Sequence, residues 1–152
     1  MNKSDIREQV EEFMNAAGQE VKESPAVPDD KIVRLRAKLV MEEAFELLEA
    51  LFDEPVERIQ HEVMELISGS PIDVDMVEVA DACSDIDYVV EGARLAFGIN
   101  GKPIADEVQR TNMAKFGPGS WVRESDGKQM KPEGWEPPDI KKLLEDQGWK
   151  NE

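Results

Sequence analysis

The sequence predicts an all-α protein, a bundle of about five helices with a short C-terminal tail containing a small β-hairpin and a last short helix. Three observations carry this expectation. Apolar residues recur at helical spacing through most of the chain up to Phe116. One long stretch, from Asp30 to Phe52, holds neither Gly nor Pro and is rich in Leu, Glu, Ala and Lys, all good helix formers. A strand pattern occurs only around Trp121–Lys128, where Asp126-Gly127 has the chemistry of a hairpin turn.

The first helix is predicted over Ile6 to Ala17, where Ile6, Val10, Phe13, Met14 and Ala17 share a face, with Asp5 as cap and Gly18 as stop. A loop with Pro25 and Pro28 follows, and Asp29 or Asp30 opens a second helix to about Phe52. Glu54-Pro55 reads as a third start, with Pro55 in the first turn, and that helix runs through Ile59, Val63, Leu66 and Ile67 to Gly69. Ser68-Gly69-Ser70-Pro71 is a loop. A fourth helix extends from about Val74 to Phe97 and stops at Gly98; a fifth runs from about Pro103 to Phe116, closed by Gly117-Pro118-Gly119. After the hairpin, Gly134-Trp135-Glu136-Pro137-Pro138 is extended, and Asp139 caps a last helix over Ile140 to Gln147. The whole reads as one domain over residues 1–152, with a helical core at about 5–116 and a tail at about 117–152.

The chain has 152 residues, of which 40% are hydrophobic and 34% charged. Its 34 acidic side chains against 18 basic ones give a formal net charge of −16. That balance disfavours a nucleic-acid backbone or an anionic membrane surface as partner, since both demand basic surface. An anionic small substrate would need metal ions as intermediaries. A single cysteine, Cys83, allows no internal disulfide. No signal pattern or membrane-length apolar run is present, so a reducing cytoplasm is the expected setting.

On a wheel of about 100° per residue, Leu35, Leu39, Glu42, Glu46 and Glu49 of the second helix fall on one stripe. Val40, Ala44, Leu47, Leu48 and Leu51 cover another, so this helix is expected to be central. Glutamates in such a place are either solvated or held together by something positive. The fourth helix repeats the pattern. Val79, Ala82, Ile86, Val89, Val90, Ala93 and Phe97 form its expected buried arc, edged by Glu78, Asp81 and Asp85. If the two helices pack together, up to five carboxylates converge, and hard divalent cations with oxygen ligands answer the repulsion. The alternative, a solvated acidic face, fits a helical interaction protein that presents charge to a basic partner.

Glu42-Glu43-Ala44-Phe45-Glu46 matches the pattern EExxE, and Glu78-Val79-Ala80-Asp81 matches ExxD. Together they resemble the motif of the all-α nucleoside triphosphate pyrophosphohydrolase superfamily, which takes in MazG-like enzymes, dimeric dUTPases and phosphoribosyl-ATP pyrophosphohydrolase. Arg34 to Met41 resembles the family's approach to that motif, and Asn112-Met113-Ala114-Lys115-Phe116 its later Asn-Met-x-Lys element. The likeness spans roughly residues 5–145. The spacer from Leu47 to Val77 is long for the motif, with the extra length around Ser68 to Asp75.

The resemblance implies Mg²⁺-dependent cleavage of a (deoxy)nucleoside triphosphate to monophosphate and pyrophosphate, with Mn²⁺ as a substitute ion. It implies that Glu42, Glu46, Glu78 and Asp81 hold metal, with Asp85 as a further ligand. Glu43, projecting about 100° from Glu42, is the general base; Asn112 and Lys115 hold phosphate or sugar, and Lys38 is a further phosphate contact. A phosphoribosyl-ATP substrate is the near alternative. A homo-oligomer, dimer or tetramer, is expected, because few helices remain to cover a central one.

Other residues invite less. His61 lacks the Glu-x-x-His context of a di-iron site, since Arg58 stands three residues before it, and is read as a surface residue. Cys83 is read as packing within the fourth helix's arc. Trp121, Trp135 and Trp149 read first as anchors that pin the tail, with base stacking as the alternative; Phe13 and Met14 are further base-stacking candidates.

Overall fold

A computed structural model describes residues 6–151. Its elements in chain order are α1 (Ile6–Ala16), α2 (Asp30–Leu51), α3 (Glu57–Gly69), α4 (Met76–Ala96), α5 (Gly101–Met113), β1 (Trp121–Val122), β2 (Gln129–Met130) and α6 (Ile140–Asp146). The protein is all-α, as the sequence predicts, with one two-stranded hairpin among the described residues. The proposed cap Asp5 lies outside the described residues. No described helix is long and apolar enough to cross a membrane.

The chain forms two compact units. One comprises Ala26–Met76 and Glu124–Lys128. Here α2 begins because Asp29, in extended backbone, accepts the Ile32 amide on its side chain at 2.9 Å, satisfying one of the helix's orphan donors. Helix α3 begins at Glu57 after Val56, so Pro55 precedes the cap rather than occupying the first turn. Val56 earns its place by packing: it is buried, as are Leu35 and Phe45 of α2. Burying each such side chain stabilises by roughly 1.5–3 kcal/mol. The far end of α3 is closed from α2, where Arg34 Nη1 donates to the carbonyls of Ile67 (2.5 Å) and Ser70 (2.9 Å). A guanidinium there meets both the orphan carbonyls and the negative end of the helix dipole. Segment 124–128 rests on α2 through Lys31 Nζ, 3.5 Å from the Glu124 carbonyl. The extra motif spacing falls in the loop between α3 and α4.

The other unit comprises the described parts of Met1–Pro25, Val77–Arg123 and Gln129–Glu152. Helix α1 lies along α5: Gln9 Nε2 donates to Asp106 Oδ1 (2.8 Å), Gln109 Nε2 to Glu12 Oε2 (2.9 Å), and the Phe13 and Phe116 rings are 5.2 Å apart. Gln147, just past α6, exchanges two bonds with the backbone of Asn100, the cap of α5 (2.8 and 3.0 Å). The hairpin pairs Trp121 with Met130 and Val122 with Gln129. Its connection spans residues 123–128, so Asp126-Gly127 sits within a longer loop rather than forming a two-residue turn. Asp139 accepts the Lys142 amide at 3.1 Å to start α6.

Helix α4 departs most from expectation. None of its residues is buried. Val89 is 64% exposed, Leu95 71% and Tyr88 81%, and Val79, Ile86, Val90 and Phe97 are also exposed. Cys83, expected to pack in that arc, is exposed too. On α2, Leu35 and Phe45 are buried, but Val40, Leu47, Leu48 and Leu51 are open. The apolar periodicity is real, yet these residues are exposed.

Candidate active site

Three segments carry the chemistry anticipated from sequence. On α2, Lys38, Glu42, Glu43 and Glu46 occupy little more than two turns. Phe45, buried in their midst, fixes the rotation of the helix and turns Glu43 and Glu46 outward. Glu42 is half-buried, and its Oε2 lies 3.0 Å from Lys128 Nζ. Lys128 arrives from the hairpin loop, whose geometry is set by Asp126 Oδ1 accepting the Lys128 amide at 3.1 Å and by Gly127 at φ 78°. A Cβ at Gly127 would stand 3.9 Å from Leu35 Cδ2, so the positive φ, more than crowding, selects glycine there.

On α4, Glu78, Asp81 and Asp85 stand at i, i+3 and i+7, and all three are exposed. The third segment is the end of α5 and the turn after it. Asn112 and Lys115 are half-buried there. Lys115 Nζ lies 5.9 Å from the centroid of the Phe13 ring and 5.8 Å from that of Trp135, and Lys131 Nζ lies 4.5 Å from the same Trp135 ring. Trp135 Nε1 donates to the Thr111 carbonyl at 2.6 Å, so this tryptophan anchors the tail, the first of the two roles considered for it. His61 is exposed beside Glu65, as expected of a surface residue.

The α2 group belongs to one unit; Glu78, Asp81, Asp85, Asn112 and Lys115 belong to the other. Among the described residues, no three His, Cys, Asp or Glu side chains are gathered as a metal centre would gather them. What each helix offers is a carboxylate pair on adjacent turns, Glu42 with Glu46 and Glu78 with Asp81. Such spacing leaves Cβ atoms about 5–6 Å apart, and every donor is a hard oxygen of the kind Mg²⁺ takes. The donor chemistry therefore fits the metal.

Lys128, as a partner of Glu42, and Trp135, as a neighbour of Lys115, were not legible as site residues in the sequence. The Asp-Gly turn chemistry was the one signal near Lys128. A cavity of about 270 Å³ lies beside Trp135, lined by Arg110, Pro132, Glu133 and Glu136 among others. Arg110 binds Glu107 through two nitrogens, at 2.6 and 2.8 Å, and the Asp139 amide donates to the same carboxylate at 3.3 Å. The guanidinium first, then that amide, holds the Glu107 carboxyl down at about 2. Lys102, then Gln9, likewise holds Asp106 below its ordinary value. Burial lowers the Arg36 guanidinium.

Both carboxylate motifs stand on helices of an all-α frame. The model of the phosphoribosyl-ATP pyrophosphohydrolase family matches residues 10–112, more than half of the chain and inclusive of both carboxylate motifs. The chain belongs to that family, within the all-α nucleoside triphosphate pyrophosphohydrolase superfamily. A candidate NTP pyrophosphohydrolase from Exiguobacterium sp. 255-15, solved by crystallography at 1.78 Å, is 28% identical and has a TM-score of 0.67. The alignment covers 97% of this chain and 95% of that one. No curated protein sequence matches the chain.

Proposed function

We propose that the protein hydrolyses a (deoxy)nucleoside triphosphate to the monophosphate and pyrophosphate with the help of Mg²⁺, for nucleotide-pool control. The observation that carries this reading is the family match across residues 10–112, which takes in EExxE at Glu42–Glu46 and ExxD at Glu78–Asp81 together. Glu42, Glu46, Glu78 and Asp81 would hold the metal, with Asp85, one turn beyond Asp81, as a further ligand. When bound, the metal would supply positive charge to the phosphate oxygens and lower the pKa of water. Glu43 is the general base toward the attacking water. Asn112 and Lys115 hold the phosphate chain or sugar, and Lys38 adds a positive charge one turn before Glu42. In a chain of net charge −16, such cations are few and their placement matters.

The acting form is a homo-oligomer, a dimer or larger. The open apolar row on α4 supports this, since soluble monomers rarely leave so much contiguous apolar surface in water. The phosphoribosyl-ATP description of the matched family favours one second reading, in which that compound is the substrate; the Exiguobacterium protein favours the first.

A panel of all ribo- and deoxyribonucleoside triphosphates plus phosphoribosyl-ATP, with Mg²⁺ or Mn²⁺ and chromatographic separation of products, tests both. Monophosphate and pyrophosphate are expected from at least one triphosphate. Dialysis against a chelator is expected to abolish turnover, and Mg²⁺ or Mn²⁺ to restore it. Orthophosphate released without added pyrophosphatase, or full activity in chelator, refutes the assignment.

A further inference from the structure

The loop between β1 and β2 lies beyond the matched family region, which ends at residue 112. Residues 124–128 of that loop nevertheless belong to the same compact unit as α2. They follow one stripe of the helix, since Lys31, Leu35 and Glu42 stand at i, i+4 and i+11, close to whole turns. Lys31 Nζ lies 3.5 Å from the Glu124 carbonyl. The Gly127 backbone passes over Leu35, a core residue, so closely that a Cβ there would stand 3.9 Å from Leu35 Cδ2. Lys128 Nζ then reaches Glu42 Oε2 at 3.0 Å. The start of the Lys128 side chain is set by its backbone: Gly127 takes φ 78°, a value that suits glycine, and Asp126 Oδ1 accepts the Lys128 amide at 3.1 Å. An apolar contact and local turn chemistry therefore place the loop. The ion pair at its end adds little to that, because Lys128 and Glu42 are partly open to solvent, 37% and 27%, and such pairs contribute little to stability.

The charge of the ammonium matters more than its grip. An ammonium has three donors and no acceptor, and the bond to Glu42 uses one donor. A carboxylate has two oxygens and about four lone-pair sites, so Glu42 can keep this bond and still serve a cation. Two cations at one carboxylate repel each other, and the ammonium makes Glu42 less attractive to a divalent ion that comes alone. A polyphosphate reverses that balance. Mg²⁺ is typically bound by one or two carboxylates together with substrate phosphates, and a lysine beside such a carboxylate neighbours those phosphates as well. We propose that Lys128 is a phosphate-binding residue, which disfavours a lone divalent cation at Glu42 and favours a cation that comes with a polyphosphate. This rests on the reading of Glu42 as a metal ligand. It goes beyond that reading by giving the hairpin loop a part in substrate binding and by making metal and polyphosphate each depend on the other. In a chain of net charge −16, such coupling separates the productive cation from those merely drawn to acidic surface.

The test uses the full chain and two calorimetric titrations that need no turnover. One adds Mn²⁺ alone, at physiological salt so that diffuse binding to the acidic surface is screened. The other adds inorganic pyrophosphate, a base-independent probe, in saturating Mg²⁺. Lys128→Met keeps most of the apolar stem and removes the charge. It is expected to tighten Mn²⁺ by about 3–10-fold, a Coulombic gain reduced by the solvent around a partly exposed pair. The same variant is expected to weaken pyrophosphate by about 10-fold, the scale of one charge-assisted contact. Lys128→Arg keeps the charge and is expected to lie between wild type and Lys128→Met in both titrations. Opposite signs are the signature. A lysine that only pinned the loop or steadied Glu42 would, once removed, weaken both ligands or move neither, and either of those results overturns the role, as does a change in one titration alone. Glu42→Gln tells this failure from that of the underlying reading. It is expected to weaken Mn²⁺. If it does so while Lys128→Met matches wild type, the role of Lys128 falls and Glu42 stands as a ligand. If Mn²⁺ binds Glu42→Gln as it binds wild type, the ligand assignment falls and the role of Lys128 with it.

Discussion

Glu43 and Glu46 are separated by two residues, and the proposal gives them different work. Exchange for Gln preserves size in each case and removes one negative charge. Glu46→Gln is expected to weaken metal binding and shift the Mg²⁺ dependence of the rate to higher concentration. Glu43→Gln is expected to leave metal and nucleotide binding largely intact while cutting turnover by roughly 10²–10⁴-fold, the usual worth of a general base. Calorimetric titration of metal in the presence of a non-hydrolysable nucleotide, beside steady-state rates, separates the two. If Glu43→Gln loses metal and Glu46→Gln keeps it, the roles are exchanged. Lys128 adds a residue-scale point. Its ammonium at 3.0 Å already supplies Glu42 with positive charge, so Lys128→Met leaves Glu42 more strongly dependent on a cation.

At the scale of elements, some helix ends were legible because they rest on local chemistry, whereas the fifth helix, read as Pro103 to Phe116, starts at Gly101 with Asn100 as its cap and ends at Met113. Asp29 and Asp139 cap where the sequence placed caps. Gly98 ends α4 at φ 68°, with the Ile99 amide reaching back to the Arg94 carbonyl at 2.9 Å, a closure that wants glycine at that point. Pro55 misled because two starts compete there, and burial of Val56 decided for the later one. The α4 arc was read correctly as apolar and incorrectly as buried, since periodicity reports which face prefers to leave water and not what will cover it. The carboxylate pairs were visible through their spacing. Lys128 beside Glu42 and Trp135 against Thr111 depend on partners 86 and 24 residues away, and no local pattern encodes such distances. The link from α5 to α6 makes a prediction of its own. Glu107, between Arg110 and the Asp139 amide, has its carboxyl lowered from 4.5 to about 2. A depressed carboxyl contributes stability that is present above its unfolded value and lost as pH falls through its folded one. Wild type is therefore expected to melt higher than Glu107→Gln at neutral pH. The gap should close as pH falls from about 4.5 toward 2, followed by circular dichroism. A gap that persists unchanged to pH 2 refutes the ionic origin of this link.

For the whole molecule, the expected stoichiometry follows from α4. Light scattering at micromolar concentration is expected to give a multiple of the 17.1 kDa chain mass. Val89→Glu places a charge at a position 64% exposed in one chain. In a monomer it is nearly harmless, as surface changes usually are. Across an apolar contact between copies it strands a carboxylate and is expected to drive the mass down to that of one chain. A wild-type mass of 17.1 kDa refutes the oligomer.

The pairing of α1 with α5 also has a bearing on how the protein is made. Gln9 and Asp106 are 97 residues apart in the chain. A ribosome adding about 5–20 residues per second leaves α1 waiting roughly 5 to 20 s for its partner. Helices α2 and α3, joined by a short link, can meet within that interval, since contacts close in sequence form early. During the wait the Phe13 side of α1 is an unsheltered apolar face on a nascent chain. The glutamates at 8, 11 and 12 beside it give that stretch like charge on every nascent chain, the kind of feature that opposes sticking between exposed apolar segments.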